Sequence, residues 1–145
     1  MISITNKTKQ KLPNLPWGKI TATILGPDYD LSLVFIGDKR SYNLNHHWRG
    51  KDKPTNILAF PLDESNGEIF INITQAKKEA PKFNRNQSNH IGALLIHGLL
   101  HLKGYEHSST MDEEEEALRK LFKLNGQKYF NRNRHRHLLD QGGRM

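Results

Sequence analysis

The sequence predicts a single α/β domain, and three observations carry that prediction. Segments with strand patterning recur through the first half of the chain and are separated by segments with helix signals, the mixture that layered α/β domains require. A stretch near residue 90, Asn89 to Lys103, is apolar around most of a helical circumference and therefore belongs at the centre of the core. The chain has 145 residues, which suits one domain with a sizeable core and is short for two.

Taken in order, Met1 to Asn6 alternates as a short strand with Ile2 and Ile4 on one face. Lys7 to Pro13 is polar and basic. From Leu15 to Leu25 two signals conflict. Pro16 and the Gly26-Pro27 stop frame a helix, whereas β-branched Ile20, Thr21, Thr23 and Ile24 favour a strand. Asp30 to Ile36 reads as a strand ended by Gly37, and Asp38 as the cap of a helix through about Trp48. Gly50 to Thr55 is a basic turn. Ile57 to Phe60 is a buried strand stopped by Pro61, and Glu68 to Ile73 a second strand paired with it as a hairpin.

Thr74 is the expected N-cap of a short helix that Pro81 ends, and Ser88 the expected cap of the central helix. Thr110 to Glu113 has the form of a capping box opening a last helix to Leu124. Its acidic run, Asp112 to Glu116, reads as a solvated face near the positive end of the helix dipole. One domain over residues 1–126 and a flexible basic tail over 127–145 are expected, with Arg132, Arg134 and Arg136 as candidate phosphate contacts in the tail.

Lys and Arg outnumber Asp and Glu by 22 to 15, for a net charge of +7, so a polyanion such as nucleic acid is a natural partner. There is no cysteine, which removes disulfides and thiolate metal sites and fits a reducing cytoplasm. Met1 to Pro13 has no apolar run, so no signal peptide is expected, and the longest apolar run is too short and too interrupted to cross a membrane.

The chemistry concentrates in Ile96 to His107, I-H-G-L-L-H-L-K-G-Y-E-H. Residues four apart on a helix project about 40° and roughly 6 Å apart, so His97 and His101 can aim both imidazoles at one point. A third ligand on the same side requires the chain to break and turn back. Gly104 supplies the break, because glycine takes the left-handed conformation that closes a helix. His107 then completes a three-nitrogen face of the kind that holds a catalytic zinc with one position open. The spacing is that of the H-E-x-x-H-x-x-G-x-x-H zinc peptidases. The alternative is a helix whose histidines merely line a polar edge. Where those peptidases carry their general-base Glu, this chain has Gly98, which points to a different hydrolysis or a non-proteolytic metal.

A second constellation, Asn45 to Pro61, reads N-H-H-W-R-G-K-D-K-P-T-N-I-L-A-F-P and sets Arg49, Lys51 and Lys53 around a turn stiffened by Pro54. A guanidinium offers forked donors to phosphate oxygens; a charged surface turn is the plainer alternative.

Together the two stretches resemble the YbeY endoribonuclease family, the bacterial rRNA maturation factors. H-G-L-L-H-L-K-G-Y-E-H matches that family's H-G-x-L-H-L-x-G-Y-D-H. Arg49 with G-K-D-K-P-T-N-I-L-A-F-P matches its arginine and G-x-D-x-P-T-D-V-L-S-F-P, and Gly67-Glu-Ile-Phe-Ile its G-D-I-x-I. The resemblance covers roughly Asp30 to Leu124. It implies a mixed four-stranded sheet packed by about five helices, with a zincin-like metal-binding helix at the centre and a helix for Leu15 to Leu25. It further implies one zinc ion on His97, His101 and His107, and Arg49 facing the metal cleft. The implied activity is cleavage of single-stranded RNA in 16S rRNA 3′-end maturation and ribosome quality control. Implied partners are the small ribosomal subunit, one of its proteins and the GTPase Era. Arg49 and Glu106 are the candidate catalytic residues, and Lys51 and Lys53 candidate RNA contacts. Glu106 and Asn56 both stand where the family has Asp. A zinc peptidase-like hydrolase, and a non-catalytic ribosome-assembly factor with a structural metal, are the alternatives.

Overall fold

The structure, a computed structural model, describes residues 1–125. Its elements run β1 (Ile2–Asn6), α1 (Trp17–Leu25), β2 (Asp30–Ile36), α2 (Asp38–Arg49), β3 (Ile57–Asp63), β4 (Asn66–Asn72), α3 (Ile73–Glu79), a 3₁₀ turn (Ala80–Phe83), α4 (Gln87–Lys103) and α5 (Ser109–Leu121). The strands form one mixed sheet in the order β1-β2-β4-β3; β1–β2 and β2–β4 are parallel, and the β3–β4 hairpin is antiparallel. This is the predicted α/β domain. The basic tail expected from residue 127, with Arg132, Arg134 and Arg136, lies outside the described residues.

Register fixes which side chains enter the core. Leu31, Leu33 and Phe35 of β2 pair with Gly67, Ile69 and Ile71 of β4. Because side chains alternate across a strand, these residues share the face on which α4 lies. Ile69, Ile71, Leu95 and Leu99 are fully buried there, each worth about 1.5–3 kcal/mol relative to exposure. Every residue of α4 from His90 to Leu100 is buried, as its all-round apolar composition requires.

Packing also resolves the conflict in α1. Ile20 and Ile24 enter the core, and Thr21 and Thr23 turn their hydroxyls back onto the carbonyls of Trp17 and Lys19 at 2.9 and 2.7 Å. Tertiary burial thus overrides the strand preference of the β-branched residues.

Three local expectations change. Pro61 does not end β3, which continues to Asp63 with an irregularity after Pro61. The strand lies at the sheet edge, where a missing N–H leaves no ladder bond unmade. The N-caps of α3, α4 and α5 are Asn72, Asn86 and Ser108, whose side chains accept from the amides of Gln75, Asn89 and Met111. In each case the cap is two residues earlier than the Thr or Ser expected. Asp38 starts α2 without capping it; its carboxylate instead accepts from Asn72 and Gln75, tying α2 to α3.

Candidate functional site

The site is assembled where α4 ends. Gly104 has φ +111°; its N–H donates to the carbonyl of His101, and the N–H of Tyr105 donates to that of Leu100, both at 3.0 Å. These two bonds form a Schellman closure. It reverses the chain at once and brings His107 back beside the last turn of α4. The three ring centroids lie 4.6 Å (His97–His101), 5.1 Å (His97–His107) and 4.8 Å (His101–His107) apart. One ligand nitrogen from each falls within 4.8 Å of the others. The predicted trio therefore does converge. His97 is buried, His101 half-buried and His107 exposed, so the cluster opens to solvent on one side.

The donor set fits a cation. Nδ1 of His97 stands 2.9 Å from Oε1 of Glu115, and Nδ1 of His101 stands 3.0 Å from the carbonyl of Tyr105. Both acceptors claim an N–H, which leaves the Nε2 lone pairs free. Those two Nε2 atoms face one another at 3.0 Å, slightly closer than the about 3.3 Å of two nitrogens on a tetrahedral zinc at its usual bond length. Two opposed lone pairs repel unless a positive centre lies between them. Burial first, and then the neighbouring His97, push the His101 imidazole below the ordinary histidine range, which keeps it in the ligating neutral form.

Glu115 is the residue that sequence reasoning missed. It belongs to the acidic run assigned to solvent, yet it is buried and bonded to His97. The signal was its phase. Met111, Glu115 and Leu118 fall on one helical face, and the structure buries Met111 and packs Leu118 against the core. A lone carboxylate on an apolar stripe asks for a buried partner. Glu106, by contrast, is exposed and does not line the cleft beside the histidines.

That cleft has a volume of about 610 Å³ and is lined by His97, His101 and His107 together with Arg49 from the end of α2 and Lys51 and Lys53 from the α2–β3 connection. The basic loop is held in place. Asn45 donates its amide to the carbonyl of Lys53 at 2.8 Å, and the Ser41 hydroxyl donates to the carbonyl of Thr55 at 2.7 Å while accepting that residue's N–H. Arg49 itself forms no hydrogen bond or ion pair among the described residues, so its guanidinium is available.

Gly98 is explained by packing as well as by chemistry. A Cβ there would lie 2.7 Å from Cδ1 of Ile57 and 3.1 Å from Cδ1 of Ile69. The absent Cβ lets α4 approach β3 and β4 closely, and the position that carries the base in the peptidases is here pressed against the sheet.

Among the described residues, Glu79 is the one carboxylate lining the cleft. Burial would raise it, but bonds from His90 and Asn56 prevail and hold it below the ordinary glutamate range. Asn56 gives both contacts through its amide, at 3.0 and 3.2 Å; an Asp at that position would set two carboxylates against each other. His90 is thus a buried, hydrogen-bonding histidine. Among the described residues, no helix is long and apolar enough to cross a membrane.

Comparison with known proteins agrees with this geometry. The family model described as endoribonuclease YbeY matches residues 3–128. Curated proteins named endoribonuclease YbeY are similar to the chain. The one from Alkaliphilus oremlandii is 36% identical over 106 residues, 63% of this chain and 70% of that protein. The one from Nautilia profundicola is 40% identical over 102 residues, 65% and 73%. The one from Rhizobium etli is 34% identical over 122 residues, 78% and 64%. A Thermotoga maritima protein solved in solution shares the fold, with a TM-score of 0.60 at 23% identity over 91% of this chain and all of that one.

Proposed function

On the premise that the chain belongs to the YbeY endoribonuclease family, we propose that it is a zinc-dependent endoribonuclease that cuts single-stranded RNA in this cleft. The observation that carries the reading is one shared cavity, lined both by three convergent imidazoles and by Lys51, Lys53 and an Arg49 without a partner among the described residues.

His97, His101 and His107 would hold the metal, and the solvent-open side of the cluster suits a catalytic rather than a closed structural site. The chemistry such a cation supplies is Lewis acidity and activation of water near neutral pH. Glu115 and the Tyr105 carbonyl keep the Nδ1 protons of His97 and His101, so both rings stay aimed. Arg49 presents forked donors to the phosphate under attack and stabilises the charge that grows there, an effect worth about 3–4 kcal/mol where comparable donors have been removed. Lys51 and Lys53 draw in the flanking phosphates with an affinity that weakens with salt.

The family resemblance extends the proposal to maturation of the 16S rRNA 3′ end and ribosome quality control in the cytoplasm. It also extends it to the small ribosomal subunit, one of its proteins and the GTPase Era as partners. A peptidase reading is disfavoured by Gly98, which carries no side-chain base and at which an added Cβ would press on the Ile57 and Ile69 methyls.

The test is to incubate zinc-loaded protein with an unstructured RNA and, separately, with casein. RNA cleaved, casein intact and cleavage lost in Arg49→Glu is the expected pattern. Casein cleavage alone, lost in His97→Ala, would replace the nuclease by a peptidase. Undiminished RNA cleavage by purified Arg49→Glu would remove the reaction from this cleft.

A further inference from the structure

We propose that Trp48, which packs on the cleft-lining Phe60, is a stacking site for a base of the bound single-stranded RNA; the proposal rests on the nuclease reading above. Trp48 is 63% exposed, one residue before Arg49 at the end of α2. Ser41 and Asn45, the buried residues of α2, share its helical face, so Trp48 continues that face into the exposed last turn. Its ring meets Phe60 at 5.9 Å between centroids, inclined by 58°, and meets His47 edge-on at 4.7 Å. Phe60 in turn meets Phe70 at 6.0 Å and 76°.

These contacts matter because they support the indole from two sides while leaving most of it exposed. A pre-ordered ring pays little conformational entropy on binding, and a base stacked on an aromatic ring contributes affinity whatever its sequence. Register places the two phenylalanines on one sheet face: Leu58 pairs with Phe70 and Phe60 with Glu68, opposite the face where Ile69 and Ile71 enter the core. Phe60 also lines the cleft that holds Arg49, Lys51 and Lys53. Phe60 thus joins the exposed indole to a cleft that carries three cations, and rings beside cations are the composition of single-strand nucleic-acid grooves. Charge complementarity favours a polyanion here over an apolar protein partner.

Acidic groups bound the surface: Glu79 lines the cleft, Asp52 lies between Lys51 and Lys53 with its carboxylate 2.7 Å from Nδ1 of His46, and Glu68 flanks the rings. Glu68 stands opposite Phe60 and accepts from the Ser32 hydroxyl at 3.4 Å. Its carboxylate repels phosphate, so the sugar–phosphate chain lies on the side of Arg49 and Lys51 with a base turned toward Trp48.

The chain has two tryptophans, and Trp17 packs edge-on against Phe35 at 5.5 Å. Trp17→Phe therefore leaves Trp48 as the single fluorescent indole in the full-length, zinc-loaded protein. The probes are a short 2′-O-methyl oligouridine and an abasic ribose-phosphate oligomer of the same length. The base-bearing oligomer is expected to quench Trp48 and to bind about five- to a hundredfold more tightly than the abasic one. Trp48→Ala in the otherwise natural chain should lose that same factor, and Trp48→Phe less of it. The salt dependence should not change, because no charge is removed; Lys51→Ala should instead lower the slope of log affinity against log salt by about 0.7. Unquenched fluorescence, equal binding of both oligomers, or unchanged affinity in Trp48→Ala would each overturn the proposal, as would unchanged affinity with loss of a dimer, which would mark a self-association face. Natural protein that binds no single-stranded RNA overturns the nuclease reading itself. Natural protein that binds and cleaves, with Trp48→Ala indistinguishable from it, overturns only this inference.

Discussion

Oε1 of Glu115, on α5, lies 2.9 Å from Nδ1 of His97, on α4, and both side chains are buried. The bond fixes the ring orientation and places the Nε2 lone pair toward His101. Carboxylates that orient a metal-bound imidazole in this way typically contribute 10- to 100-fold to metal affinity. Glu115→Ala should weaken zinc binding by about that factor, measured by competition with a chromogenic chelator. Glu115→Gln should lose less, because its amide oxygen still accepts the Nδ1 proton. Equal zinc affinity in all three proteins would reduce Glu115 to a packing residue.

Gly104 makes a separable prediction. Its φ of +111° belongs to the left-handed side of backbone space and has no steric obstacle beyond the backbone itself, since a Cβ there would meet nothing within 4 Å. Gly104→Ala should therefore destabilise the fold by about 1–2 kcal/mol through backbone strain alone. It should also lower zinc affinity, because the reversal at Gly104 delivers His107. Urea unfolding read with and without zinc distinguishes the two: the gap between the curves should shrink in the variant. A gap equal to that of the natural protein would mean that His107 does not depend on this turn.

The buried pair His90 and Glu79 predicts how stability follows pH. His90 is held below the ordinary histidine range by burial first, with Arg85 adding to the shift and Glu79 opposing it. The geometry agrees with a neutral ring: Nε2 donates to Glu79 at 3.0 Å, and Nδ1 accepts from Arg85 at 3.2 Å. Burial and nearby Arg119 lower Arg85 only to about 10, so it remains charged at neutral pH. A lowered histidine favours folding fully above the unfolded value near 6.5 and loses that advantage as pH falls below it. Lowered Glu79 acts in the same direction, its contribution fading as pH falls below its unfolded value near 4.5. Stability of the metal-free protein should thus decline from neutral pH downward. In His90→Gln the decline below about pH 6.5 should be shallower than in the natural protein. Parallel pH profiles for the two would contradict the assignment.

How much of this was legible beforehand follows from the range of each interaction. The histidine trio was readable because its members lie within eleven consecutive residues and one glycine sets the turn. The placement of Arg49 in the same cleft was implied only by the family resemblance, since it depends on β3 joining the sheet edge. That same edge position explains why Pro61 failed to mark a strand end. The caps slipped because Asn72, Asn86 and Ser108 each sit near a Ser or Thr of similar capping strength, and tertiary packing chose between them. Glu115 was hidden among four consecutive glutamates; only its phase relative to Met111 and Leu118 set it apart.

Zinc content per chain, measured on protein purified without an affinity tag, for the natural sequence and for His101→Ala, tests the centre of the account most directly. One equivalent in the natural protein and close to none in the variant is the predicted result. A full equivalent retained by His101→Ala would contradict it.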